Sequence, residues 1–406
     1  MKKGWQTRML CELYQVGSSK RVLKSQWKTS GVPFYRGREV TRLAADGFVD
    51  NELFITEDHF AELSKEYGVP KADDIVITAI GTIGNSHVVR SSDRFYFKDA
   101  SVLWMKRTSD VSSEFVNLWL KSPSFFDQLD QGNGATVDTL TIQKLQSVKI
   151  SIPPFPEQQR IVGILDQAFD GFATATANAE KNLHNARALF ESHLQFVFTQ
   201  RGKGWEEKRL EEVLGVQPQN GWSPPAANHA DSGTPVLTLS AVTGFVFRPE
   251  KIKFTSAVTD SRARYWVRNG DFLITRSNTP ELVGHVAIAS GIEKPTIYPD
   301  LIMRMNPDPA KAVTEFLYYQ MRTSALRKEI SGRAQGANPT MKKISNEAVR
   351  TLPIVVPPIR EQHRVVAQLD SLAAETQRLE SIYRQKLAEL GELKQSLLHQ
   401  AFTGQL

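Results

Sequence analysis

Short apolar runs punctuated by glycine and proline alternate along this chain with stretches of helical periodicity, and the pattern is written twice. Asp74-Ile75-Val76-Ile77-Thr78 and Asp271-Phe272-Leu273-Ile274-Thr275 read as short buried strands, because their central positions are all apolar. Glu114-Phe115-Val116-Asn117-Leu118-Trp119-Leu120 and Glu315-Phe316-Leu317-Tyr318-Tyr319-Gln320-Met321 read as amphipathic helices. Each half is therefore expected to be a mixed α/β globule.

The repeat is sharpest at the end of each half. Ile152-Pro153-Pro154-Phe155-Pro156-Glu157-Gln158-Gln159-Arg160-Ile161-Val162 returns as Val356-Pro357-Pro358-Ile359-Arg360-Glu361-Gln362-His363-Arg364-Val365-Val366, with Pro357 standing 204 residues after Pro153. The same offset carries Leu165-Asp166 onto Leu369-Asp370 and Phe198-Thr199 onto Phe402-Thr403, so the intervening segment has one fixed length. Upstream the offset drifts, which places loop insertions within otherwise matched halves. Proline suits a helix start and the acids that follow suit its dipole, so each pair should open a long helix. In the second copy Leu369, Thr376, Tyr383, Leu390 and Leu397 recur every seven residues, with Leu372, Leu379 and Leu393 between them. The first copy gives Leu165, Phe172, Ala179, Ala186 and His193, with Ala168, Ala175, Leu189 and Phe196. These positions read as a coiled-coil seam between the two helices. The alternative is that each helix folds back on its own globule and the heptads mark ordinary core.

At 406 residues the chain suits two or three domains. A hydrophobic content of 41%, charged content of 23% and mean hydropathy of −0.32 are ordinary globular values. No apolar run approaches the roughly 20 residues of a spanning helix, and Met1-Lys2-Lys3-Gly4-Trp5 lacks the apolar stretch of a secretory signal, so a cytoplasmic location is expected, with no membrane partner. The single cysteine, Cys11, excludes an internal disulfide and is expected to be a small buried hydrophobe. A net charge of +6 and pI near 9.2 permit contact with a polyanion.

The two Pro-Pro segments, each with Glu-Gln, Arg, paired aliphatics and Leu-Asp, and the ending Ser396-Leu397-Leu398-His399-Gln400-Ala401-Phe402-Thr403-Gly404-Gln405-Leu406, resemble the conserved regions of Type I restriction-modification DNA-specificity subunits. The resemblance covers nearly the whole chain. It implies an α+β architecture of two mixed α/β target recognition domains, each followed by a long helix, with the helices packed as an antiparallel coiled coil of pseudo-two-fold symmetry. The corresponding blocks are 1–155, 156–200, 201–358 and 359–406. It implies that each recognition domain reads one half of a bipartite site on double-stranded DNA while the helices set the unread gap. It also implies two methyltransferase subunits and accompanying restriction subunits as partners, with S-adenosylmethionine, ATP and Mg on those partners and no cofactor on this chain.

Readers of this kind need phosphate-positioning cations and side chains able to present paired hydrogen bonds to base edges. In the first half the candidates are Tyr35, Arg36 and Arg38; Thr78, Thr82 and Asn85 at the strand exit; and Asn133 and Thr136 in a glycine-rich turn. In the second half they are Thr238 and Ser240; Arg276, Asn278 and Thr279; and Arg333, Gln335, Asn338, Lys342 and Lys343. Arg276 and Arg333 lead, since bidentate arginine to guanine is the commonest specific contact, whereas Lys342 and Lys343 suit phosphates. The same Gly, Asn and Thr can also serve turn geometry alone. The loops occupy matching places in both copies with different side chains, as two different half-sites require. Val162, Val197, Val366 and Leu398 are candidates for an apolar stripe that docks partner subunits, or for burial against the globules.

Enzymatic readings fare poorly. Ser223-Pro224-Pro225 resembles an amino-methyltransferase motif, but the next residue is Ala226, not the aromatic on which a flipped base would stack. Glu206-Glu207-Lys208 lacks an upstream Pro-Asp, Pro299-Asp300 lacks a nearby Glu-x-Lys, and no Walker A sequence is present. The eight histidines are scattered. A two-module DNA-binding repressor or a coiled-coil scaffold shares the expected architecture; a repressor should bind its operator alone, whereas a specificity subunit needs its methyltransferases.

Overall fold

The computed structural model describes residues 4–129, 139–336 and 340–406. The chain divides into two units, Met1–Lys181 with Arg384–Leu406, and Asn182–Tyr383, so each long helix contributes to both.

In the first unit Ile75–Thr78 is an inner strand of a four-stranded antiparallel sheet, ordered Tyr14–Gly17, Val102–Arg107, Ile75–Thr78, Ser86–Val88. Ile75 and Ile77 face one core and Val76 faces another, which is why this strand reads as a continuous apolar run rather than an alternation. A three-stranded sheet, Phe54–Ile55, Val32–Tyr35, Tyr96–Phe97, lies alongside. Gln6–Met9 pairs with Lys149–Ile152, tying the start of the globule to the residues before Pro153.

The second unit repeats this plan. Its four-stranded sheet runs Leu214–Asn220, Ile302–Pro307, Phe272–Thr275, Val286–Ile288, its smaller sheet has five short strands around Thr234–Leu237, and Glu206–Arg209 pairs with Pro353–Val356. Gly31 and Gly233 mark the same place in the two copies. Their φ values are 126° and 125°, and a Cβ would stand 2.3 Å from the Ile55 carbonyl oxygen in one and 2.4 Å from that of Thr255 in the other.

The aspartates ahead of the central strands are fasteners. Asp74 accepts from the Trp104 indole N–H at 2.8 Å and from the Lys71 and Arg107 amides at 2.9 Å. Asp271 accepts from Asn306 Nδ2 and the Arg268 amide, both at 2.8 Å.

The long helices are Phe155–Thr199 and Ile359–Thr403, 45 residues each and about 68 Å long at 1.5 Å per residue. The Glu-Gln-x-Arg motif explains itself at their starts. Gln158 Oε1 accepts from the Ser112 amide at 2.8 Å while its Nε2 donates to the Pro153 carbonyl at 2.9 Å. Gln362 Oε1 accepts from the Val313 amide at 2.8 Å, and its Nε2 donates to the carbonyls of Pro357 and Lys311 at 2.8 and 3.1 Å. Arg160 and Arg364 each donate back to the motif glutamate at 2.7 Å.

Each unit takes the head of its own helix and the tail of the other. Ile161 and Leu165 share the first core with Leu398, Ala401 and Phe402, and Phe190, Leu194 and Phe198 share the second with Val365, Val366 and Leu369. The helices therefore run antiparallel within each unit, and Arg187 pairs with Glu380 across them at 3.2 Å. Ala179, Ala186, Leu369 and Thr376 are buried as the heptads require. Leu189, Phe196 and Leu393 are not: they are 56%, 58% and 54% exposed. A straight helix of 3.6 residues per turn drifts off a 3.5 repeat, so the inward position passes to Phe190 and Leu194.

Candidate nucleic-acid interface

In the second unit, backbone hydrogen bonds gather the loops that follow the central strand. The Arg276 amide donates to the Leu301 carbonyl at 2.8 Å, and its own carbonyl accepts from the Ile344 amide at 2.9 Å. Ser277–Asn278 pairs with Lys342–Lys343, and the backbones of Gln335 and Lys343 exchange hydrogen bonds at 2.7 and 2.8 Å. Arg276, Asn278, Gln335, Lys342 and Lys343 thus share one rim. Ser223 bonds to Asp300 beside them, and the Arg276 Nη1 reaches the Asp300 carbonyl at 3.4 Å while its Nε has no hydrogen-bond partner. That Nε is closed to solvent, so an acceptor from outside would meet the half-buried guanidinium at its Nη atoms. Lys342 Nζ donates to the Gly336 carbonyl at 2.8 Å and Lys343 is exposed.

The segment around Thr238 and Ser240 adjoins this rim, since Asn278 Nδ2 donates to Thr243 Oγ1 at 3.3 Å. Thr238 is half-buried, its hydroxyl donating to the Lys251 carbonyl at 2.9 Å; Ser240 is exposed. Asn278 Oδ1 accepts from the Thr279 amide at 2.9 Å, a local turn. Arg333 lies otherwise. Its guanidinium bonds to Glu329 at 2.8 Å, the Ala348 carbonyl at 3.2 Å and Thr351 Oγ1 at 2.9 Å, so it fastens the helix Ser324–Arg333 to the helix Asn346–Arg350. Of the two leading arginines, Arg333 thus has its donors engaged within the protein, whereas the Arg276 guanidinium makes one bond among the described residues, to the Asp300 carbonyl.

The first unit builds the matching rim with different parts. The Ala79 amide donates to the Ser101 carbonyl at 3.0 Å and its carbonyl accepts from the Leu140 amide at 2.8 Å, so Ala79 occupies the place of Arg276. Thr82 is exposed, and Thr41 Oγ1 lies 3.2 Å from its hydroxyl and accepts from Asn85 Nδ2 at 3.1 Å. Thr78 does not reach the surface. It is fully buried, its hydroxyl donating to the Thr82 carbonyl and accepting from the Asn85 amide at 3.1 Å, so its part is to shape the turn. Thr275 does the same with Leu282 and His285. Tyr35 stacks on Phe95 at 4.7 Å. Arg36 and Arg38 both grip buried Glu39, at 2.8 and 3.0 Å, and Arg38 also holds Glu52 at 2.7 Å. Burial alone would raise the Glu39 carboxyl, but hydrogen bonds from Arg36 and Arg38 hold it down at about 2. Asn133, Thr136 and Asn338 lie outside the described residues.

Sequence reasoning passed over several rim residues. Ser19 donates to the Phe97 carbonyl at 2.6 Å and Arg21 to Asp99 at 2.9 Å, placing Ser18–Arg21 beside the turn 98–101. Trp222 stacks on Tyr265 at 5.1 Å next to Ser223. Their only signal was equivalent position before the small sheets. Val366 and Leu398 are buried in the cores, with Val162 and Val197 packed against them, so they supply packing rather than a stripe open to a partner. Cys11 is exposed, contrary to the expected burial, because the short helix Leu10–Glu12 turns Leu10 inward instead. Among the described residues there is no cluster of potential metal ligands and no helix long and apolar enough to cross a membrane.

The fold and rim define a duplicated module: two α+β globules, each presenting a loop-built polar face and each braced by two antiparallel helices. The model of the Type I restriction modification DNA specificity domain matches residues 2–183 and again 202–389, and the chain belongs to that family. It is 34% identical over 165 residues to a putative type I restriction enzyme specificity subunit of Haemophilus influenzae, covering 40% of this chain and 39% of that protein. It is 24% identical over 309 residues to the EcoKI specificity subunit of Escherichia coli K12, covering 73% of this chain and 66% of that one. The chain thus spans less than two thirds of either relative. A chain solved in work on complex assembly and conformational transition of the type I R-M system superposes with a TM-score of 0.79 at 19% identity, over 100% of this chain and 99% of that chain, which establishes the shared fold.

Proposed function

We propose that this chain is the non-catalytic DNA-specificity subunit of a Type I restriction-modification complex. Each globule reads one half of a bipartite target through its rim, and the long helices set the unread gap and dock methyltransferase subunits. Restriction subunits complete the assembly, and S-adenosylmethionine, ATP and Mg belong to those partners. The observation that carries this reading is the paired rim: one backbone frame, closed by the same hydrogen bonds at buried Ala79 and half-buried Arg276, bordered by different exposed side chains, Thr82 in the first unit and Lys343 in the second. Two unlike half-sites demand that arrangement. In the second rim Arg276 is the leading base reader, Asn278 and Gln335 stand beside it, and Lys342 and Lys343 meet phosphates.

The test is co-expression with the cognate methyltransferase subunit in an unmethylated host, with modified bases mapped across the genome. A bipartite motif with an unread centre, absent when this chain is omitted, is the expected result. A stable chain that binds one operator-like site without a methyltransferase would overturn it in favour of a repressor.

A further inference from the structure

The two rims differ in how their outer segment is held. In the first, Asn85 reaches Thr41 on the helix Gly37–Asp46, an element with its own hydrogen-bond ladder. In the second, the corresponding segment Leu239–Arg248 begins with one short 3-10 turn and has no such ladder. Arg248 ties it internally to the Ser240 and Thr243 carbonyls at 3.2 and 2.7 Å, and its Gly244-Phe245 corner is fastened from outside. His285, which follows Gly284 as Asn85 follows Gly84, accepts the Gly244 N–H on Nδ1 at 2.9 Å. Its ring lies against Phe245 with centroids 4.1 Å apart and planes at 26°. Phe245 has a φ of 61°, a left-handed conformation that costs an ordinary residue about 1 kcal/mol and survives only where neighbours impose it. Tyr318 holds the same residue, donating its hydroxyl proton to the Phe245 carbonyl at 2.7 Å and itself accepting from Arg322 at 3.1 Å. Two residues upstream of Phe245, Thr243 receives the Asn278 amide.

We propose that His285 and Tyr318 are positioning residues for the second half-site, clamping Gly244-Phe245 so that Thr243, Asn278 and the Arg276 rim keep one geometry. The inference rests on the DNA-reading function proposed above. Neither side chain needs to touch DNA. His285 is buried, and Tyr318 projects from the helix Thr314–Arg322.

Two measurements on the full chain test it. In the methylation assay, H285A should lose about three- to tenfold of the discrimination against single-base changes in the second half-site, the worth of one net hydrogen bond, while first-half discrimination and complex yield stay unchanged. Y318F should act in the same half. H285N, whose Oδ1 can replace the ring Nδ1, should retain more discrimination than H285A. Independently of DNA, amide exchange at Gly244 should rise by a similar factor in H285A. Unchanged second-half discrimination in both variants, equal loss in both halves, or no advantage of H285N over H285A overturns the proposal, as does unchanged Gly244 exchange. If the wild-type chain yields no motif at all, the DNA-reading function fails, and the exchange experiment still decides whether the clamp exists.

Discussion

The two globules agree in the side chains that close their strands and helix starts and part company at the rim. Asp74 and Asp271 fasten the central strand, Thr78 and Thr275 close its exit turn, and Gln158 and Gln362 stitch the long helix to the loop before a short one. At the rim Ala79 stands against Arg276, Asn85 against His285, and a regular helix against a clamped segment. A buried polar group that closes the shared scaffold has one or two geometric solutions, so its residue type repeats; at the rim even the buried and half-buried positions, Ala79 against Arg276 and Asn85 against His285, follow the different segments they hold. The duplication therefore separates scaffold from reading surface.

The scaffold half of this comparison breaks most visibly at the glutamines. Gln362→Ala strands one amide and two carbonyls in a buried setting and should cost about 2–4 kcal/mol in urea unfolding, with Gln158→Ala slightly less for its two bonds. A loss under about 1 kcal/mol would mean water replaces the amide.

Acid should act next, through the buried histidines. Burial and the nearby Arg327 hold the His285 ring down at about 4, against an ordinary 6.5. Between those values the unfolded chain binds the proton and the folded one does not, so stability is full above pH 6.5, falls as pH drops toward 4, and is flat below. Glu39, held at about 2 against 4.5, keeps its contribution above pH 4.5 and loses it toward pH 2. Each contribution is on the order of 3 kcal/mol. His87 in the first unit is also held below its ordinary value by burial, partly offset by Asp93, so both units lose stability below pH 6.5; H285N should remove the second unit's share between pH 6.5 and 4, as read by tryptophan and amide-exchange probes.

Against these, Arg276→Ala should leave stability within about 0.5 kcal/mol and relax recognition in the second half-site alone, by about 1–3 kcal/mol of discrimination. Unchanged discrimination would move base reading to Asn278 or Gln335.

Much of this was legible in the sequence because repetition is a long-range signal that needs no energetics. The constant offset after Pro153 announced two equal helices, and apolar runs with the same aspartate ahead of them announced equivalent strands. What the sequence hid were tertiary decisions. The one local signal that tells Arg333 from Arg276 is Glu329, four residues earlier on the same helix; the fold then brings Ala348 and Thr351 to it and leaves the Arg276 guanidinium with a single bond among the described residues, to the Asp300 carbonyl. Thr78 looked like a loop-facing hydroxyl, yet the turn it closes buries it. The heptads named the right helices but drifted off register at Leu189, Phe196 and Leu393, since periodicity fixes a face only until the helix's own pitch carries it round.

The smallest effect concerns charge. Lys342 and Lys343 form the strand that pairs with Ser277–Asn278, so neighbouring side chains point to opposite sides of that ribbon and only one can track a given phosphate row. Lys343 is exposed, whereas Lys342 is partly covered and bent back to the Gly336 carbonyl. Lys343→Ala should weaken binding of the assembled complex to all sequences alike and lower the slope of log affinity against log salt by about 0.9, the worth of one released counterion. Lys342→Ala should lower it less, because its ammonium already has an internal partner. A sequence-dependent loss at either lysine would instead place that side chain at a base edge, and the second rim would then read with its strand as well as its loops.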